Sequence, residues 1–197
     1  MLKFRQIIGS FGFISFLSGC IGTTVPPVNN YAFKCDDIKI ETAKHKQYNE
    51  VLKISLPNTS SALTRRDIIF RTDNGKIGSY AYSQWVDTPA DLLQNMLLRT
   101  ITAANLFTAV VRSTSNVESR LLLESEILQF VHKVDKNRVE VQIVLTLLDQ
   151  SSGKLVRAKL FSYSINVTTS NAKNAVEAFD SAMNNLRSDV IVWLSDS

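Results

Sequence analysis

Residues 138–148 read RVEVQIVLTLL, and their alternation decides the fold class. Val139, Val141, Ile143, Leu145 and Leu147 fall on one side while Glu140, Gln142 and Thr146 fall on the other. That is the period-two pattern of a strand with one buried face. Upstream, Arg120 to Val131 reads as a second strand. Downstream, the turn Asp149-Gln150-Ser151-Ser152-Gly153-Lys154 leads into a third, Leu155 to Val167. Residues 120–167 are therefore expected to form a three-stranded antiparallel meander.

The N-terminal half supplies shorter strands. Asn49 to Leu56 alternates Val51, Lys53 and Ser55 against Leu52, Ile54 and Leu56 before Pro57 stops it. Asp67 to Arg71 and Lys76 to Trp85 flank Thr72-Asp73-Asn74-Gly75, whose Asn-Gly pair is favoured in tight hairpins. Phe107 to Arg112 is a further short strand.

Two amphipathic helices complete the set. Thr88-Pro89-Ala90-Asp91 opens the first with a cap, a proline in the first turn and an acid at the positive end of the dipole. Leu92, Leu93, Met96, Leu97, Thr100, Ile101 and Ala104 form its apolar stripe. From Asn171, Ala175, Val176, Phe179, Ala182, Met183, Leu186, Val190 and Leu194 share one face of the second. The expected architecture is α+β: an antiparallel (mixed) β-sheet with two amphipathic helices packed on one face.

Ahead of this body, residues 1–19 read as a lipoprotein signal peptide. Lys3 and Arg5 precede an apolar run from Ile7 to Gly19. Thirteen helical residues would reach roughly 20 Å, short of the roughly 30 Å hydrocarbon core of a bilayer. Leu17-Ser18-Gly19-Cys20 resembles the lipobox of bacterial lipoproteins, in which the cysteine is acylated and becomes the first residue after cleavage. Cys20 is thus the expected lipid anchor, since several acyl chains hold where a single chain binds only marginally. Ile21 rather than Asp follows Cys20, which leaves the outer membrane as the default destination. Residues 20–30 are the lipidated N-terminus and a tether whose Pro26-Pro27 favours extended chain. Residues 31–197 form one periplasmic domain.

Composition excludes several function classes. With Lys3 and Arg5 in the signal, the 22 Lys and Arg fall to 20 against 18 Asp and Glu, too weak an excess to suggest nucleic acid. Two cysteines build no disulfide framework, and seven glycines leave little for a phosphate-cradling loop. Cys35, without Cys20 as a partner, reads as a small packed residue. His45 and His132 sit in no motif, and His132, just before the turn Lys133 to Asn137, reads as a solvated surface side chain. Glu124 and Glu126 share a strand face, a spacing more typical of a solvated surface than of acid–base chemistry. Asp36-Asp37 is nonspecific. The expectation is a protein that is not an enzyme, with no cofactor, catalytic group or metal site.

Arg65, Arg66 and Arg71 form a local basic cluster suited to ordinary solvation, to a phosphate headgroup or to an acidic partner surface. Tyr80 and Tyr82 should share one face of their strand, with Trp85 on the other if alternation continues. Aromatics serve both cores and interfaces.

Leu56 to Ile101 resembles the ABC-type transport auxiliary lipoprotein family. The features that carry the likeness are Leu56-Pro57, Leu63 with Arg65, Arg71 closing a strand, and Tyr80 to Trp85 before an amphipathic helix. Tyr31-Ala32-Phe33 stands where the family places an aromatic pair. Gln84 replaces the usual Arg before the Trp, and Ser60-Ser61-Ala62 is an atypical lead into Leu63.

The resemblance implies an outer-membrane lipoprotein facing the periplasm. It would act as accessory to a system in which an MCE-domain protein conducts lipids between membranes, powered by an ABC permease and ATPase. Arg71, Tyr82 and Trp85 are the expected partner-binding residues, and a homo-oligomer would suit a symmetric conduit. Two alternatives stay open: a periplasmic lipid-binding carrier, whose sheet and Met96 helix open around an acyl chain, and a structural envelope lipoprotein or activator of a cell-wall enzyme.

Overall fold

The computed structural model describes residues 26–34 and 48–196. Cys20 with the signal and most of the tether, Cys35, Asp36-Asp37 and His45 lie outside the described residues. The elements are β1 (Asn29–Tyr31), β2 (Tyr48–Ile54), β3 (Asn58–Thr59), β4 (Asp67–Arg71), β5 (Ile77–Trp85), α1 (Pro89–Ala103), β6 (Phe107–Arg112), β7 (Leu121–Lys133), β8 (Arg138–Asp149), β9 (Lys154–Asn166) and α2 (Ala172–Ser195). Single 3-10 turns fall at Ser61–Leu63 and Val134–Lys136.

The architecture is the expected α+β, a mixed sheet curled like a half-barrel with two helices against it. Strands β7, β8 and β9 form the antiparallel meander, with Ile127 opposite Ile143 and Ile143 opposite Phe161. The other edge of β7 is divided among three parallel neighbours. Leu52 to Ile54 of β2 run beside Leu121 to Leu123, Asn58-Thr59 of β3 beside Glu126-Ile127, and Phe70-Arg71 of β4 beside His132-Lys133. From that fork, β2 continues in parallel to β6, while β4 pairs antiparallel with β5, which takes β1 in parallel. Asn29 and Asn30, at the end of the segment read as a tether, are thus part of the sheet.

One face of β8 carries the core. Val139, Val141, Ile143 and Leu145 are buried against α2, whose Ala175, Phe179, Ala182, Met183, Leu186 and Val190 are buried in turn. Fully burying one such aliphatic side chain contributes about 1.5–3 kcal/mol. Met96 and Leu97 of the α1 stripe are packed within the same core. Both helices start as their sequences dictate. The Thr88 hydroxyl accepts a hydrogen bond from the Asp91 amide at 3.2 Å, and the Asn171 side chain accepts one from the Asn174 amide at 2.9 Å.

The hairpin turn differs from a two-residue Asn-Gly turn. The Gly75 amide donates to the Thr72 carbonyl at 2.9 Å, and Gly75 alone takes positive φ, +83°. A two-residue type I′ turn needs positive φ at both central residues, so the loop here is the longer kind that ends in a left-handed glycine.

Candidate docking surface

The site follows from β5 and the strands beside it. Between Asp67/Gln84 and Ile69/Ser79 the β4–β5 register slips, so β5 contributes three more residues than β4 over that interval. An odd number of extra residues reverses which side faces the core. Tyr80 consequently packs against the core and Trp85 lies within it, 1% exposed. Simple alternation would have set these two on opposite sides. Tyr82, expected to share a face with Tyr80, instead points outward, 49% exposed, because the break falls between them.

Trp85 is surrounded by rings. Its centroid lies 5.4 Å from Phe33, 5.8 Å from Phe130 and 5.6 Å from Phe179, and the last two stack at 4.3 Å. The Tyr31-Ala32-Phe33 segment therefore delivers Phe33 to the core. The Lys34 amide pins it to α2 by donating to Asp180 Oδ1 at 3.0 Å. Trp85 does not reach the surface.

His132 corrects its expected exposure: it is fully buried. β7 runs on through His132 to Lys133, and a bulge between Ile127 and Gln129 moves the inward positions from 121, 123, 125 and 127 to 130 and 132. His132 sits opposite Val139 on the core face, with Nδ1 2.7 Å from the Tyr80 hydroxyl and Nε2 buried without a hydrogen-bond partner. Burial disfavours the charged ring and lowers its pKa. On the opposite face, burial opposes ionisation of Glu140, yet hydrogen bonds and charge from Lys133 and Arg138 hold its carboxyl below the usual range. Glu124 and Glu126 are exposed on that outer face.

The basic cluster divides. Arg65 pairs with Asp67 at 3.0 Å, and Arg66 reaches the Val86 carbonyl at 3.5 Å. Arg71 is half-buried and has no ion-pair partner among the described residues. It stands opposite Ile77, five residues from Tyr82 along β5, or about 17 Å in extended chain. Arg71 and Tyr82 are thus separate surface points.

What surrounds Tyr82 was not singled out in the sequence. Asn29 pairs with Ser83, and its side-chain amide donates to the Tyr82 carbonyl at 3.2 Å, which brings Val28 alongside. Val28 and Val86 are each 45% exposed. Gln84 donates to Asn30 Oδ1 at 2.8 Å, so the position that departs from the family pattern ties β5 to β1. No sequence signal brings Val28 to this rim, because its place depends on a strand pairing across more than fifty residues.

Among the described residues no group of His, Cys, Asp and Glu is arranged to hold a metal ion, and no helix is long and apolar enough to cross a membrane.

A family model described as the ABC-type transport auxiliary lipoprotein component matches residues 33–190. The fold is similar to that of a Xanthomonas campestris protein of family DUF330, with TM-score 0.71, 16% identity and coverage of 87% of this chain and 91% of that one. A second crystal structure, of an uncharacterized protein, gives TM-score 0.67 at 13% identity over 86% of this chain and all of the other. No curated protein matches the sequence.

Proposed function

The chain belongs to the ABC-type transport auxiliary lipoprotein component family, and from that premise we propose that it is a non-catalytic docking component of a lipid-transporting system. In this reading Cys20 anchors the chain in the outer membrane through its acyl groups, and the domain faces the periplasm. There it receives an MCE-domain protein whose conduit carries phospholipids or other lipids between the inner and outer membranes. An ABC permease and ATPase supply the energy. Copies of the lipoprotein would close around a symmetric conduit.

The observation that carries the docking role is the apolar rim of Tyr82, Val28 and Val86 at the sheet edge nearest in sequence to Cys20. Exposed aromatics flanked by aliphatic groups are the usual anchors of protein interfaces. Arg71, uncompensated at the far end of the hairpin, is a second contact point suited to a carboxylate.

The test is affinity capture of the full-length protein from crosslinked envelopes, beside Cys20→Ser and Tyr82→Ala. Recovery of an MCE-domain protein that falls at least tenfold with Tyr82→Ala, and weakens with Cys20→Ser, is the expected result. Equal recovery with Tyr82→Ala would remove the rim from the interface. Absence of any MCE-domain protein would overturn the transport role.

A further inference from the structure

At the end of the sheet remote from the hairpin tip, two hollows lie on either side of Glu50 and Arg120. One is an apolar cavity of about 260 Å³ walled by Tyr48, Phe107, Leu121, Leu147, Val156 and Leu194. Phe107, Leu121, Leu147 and Leu194 are core residues, whereas Val156 is 48% exposed and stands at the rim. Tyr48 and Phe107 stack at 5.2 Å, and the Tyr48 hydroxyl donates to the Leu194 carbonyl at 3.1 Å, tying the end of α2 to the start of β2. The other hollow is an open polar cleft of about 660 Å³.

Glu50 and Arg120 line both hollows and form their common wall. Arg120 is already neutralised, 2.8 Å from Asp149 and 3.5 Å from Glu50. The cleft also presents Lys53 and Glu118, neither with an ion-pair partner among the described residues. One uncommitted cation and one uncommitted carboxylate complement a head that carries both signs. At ~30 Å³ per water-sized group, the apolar cavity has room for roughly nine methylene-sized units.

We infer that these two adjoining hollows form a binding site for a single-chain zwitterionic amphiphile that crosses the Glu50–Arg120 wall, its alkyl chain in the cavity between β2, β6 and the end of α2 and its head in the cleft. The head's anionic group faces Lys53 and its ammonium faces Glu118. This site lies apart from the Tyr82 rim and does not depend on the transport reading.

The probe is a decylphosphocholine with a photoactivatable diazirine at the chain end. It is irradiated with the full-length protein in nanodiscs of dioleoylphosphatidylglycerol, which offers no zwitterionic head. Labelling is expected on the peptides that carry Phe107, Leu147 and Leu194. Val156→Phe, which plugs the rim from an exposed position, should reduce it at least fivefold, while Leu155→Phe next door should leave it unchanged. Lys53→Gln with Glu118→Gln should cut labelling at least threefold. Decyl maltoside, with the same chain and a neutral head, should compete at least tenfold less well than unlabelled decylphosphocholine. Labelling spread over other surfaces, or unaltered by Val156→Phe, would overturn the cavity assignment. Equal competition by the maltoside, or no effect of the paired Lys53 and Glu118 changes, would overturn the zwitterionic head.

Discussion

The Tyr80 hydroxyl meets His132 Nδ1 at 2.7 Å, joining β5 to β7 inside the core across fifty-two residues of sequence. The other ring nitrogen is buried without a partner. A neutral imidazole tolerates that setting, and a charged one does not.

Stability should therefore fall in mild acid. The folded pKa of His132 is lowered by burial, so above the unfolded value of about 6.5 both states are neutral and the residue contributes no pH dependence. As pH drops below about 6.5 the unfolded chain binds the proton first, and the folded state loses ground down to the lowered pKa. Urea midpoints measured at pH 7.5 and 5.5 should differ for the native sequence and draw together in His132→Phe. An equal pH difference in both proteins would assign the effect elsewhere.

Trp85→Ala should destabilise by about 3–5 kcal/mol, the range for removing a large buried aromatic. Chemical denaturation measures it directly. A loss under about 1 kcal/mol would mean that the site collapses around the void.

Gly78 lies beneath Phe70, where an added Cβ would come within 2.5 Å of the ring's Cζ. Gly78→Ala should cost about 1–3 kcal/mol through displacement of that ring. Coupling with Phe70→Leu in a double-mutant cycle should reduce the cost, since the smaller side chain leaves the space. Additive effects would place the strain in the backbone instead.

Thr88→Ala should cost about 1 kcal/mol by removing the acceptor for the Asp91 amide at the start of α1. Thr88→Ser should restore most of it. Thermal or urea unfolding of the pair distinguishes a lost cap from lost packing, because serine keeps the hydroxyl and drops the methyl.

Much of the fold was legible in local pattern. The expected boundaries at Asp67–Arg71 and Phe107–Arg112 match the observed strands, and Thr88 and Asn171 cap their helices as their side-chain chemistry requires. The exposed rim around Tyr82 was only partly legible. Tyr82 could be picked out as an aromatic on a strand and Val86 follows it four residues on, but Val28 joins them only through the β1–β5 pairing.

Element types, the meander and the apolar stripes of both helices follow from local pattern, because period-two and period-3.6 patterning act within a few residues of chain. Tertiary structure alone decided that β2, β3 and β4 share one edge of β7 in parallel. It also decided that Trp85 and His132 turn inward. At both residues an irregularity of an odd number of residues in the pairing reverses the strand's faces. Continued alternation past Ile127 or Tyr80 carries no mark of where the register breaks, so only the assembled sheet reveals which aromatic is buried and which is exposed.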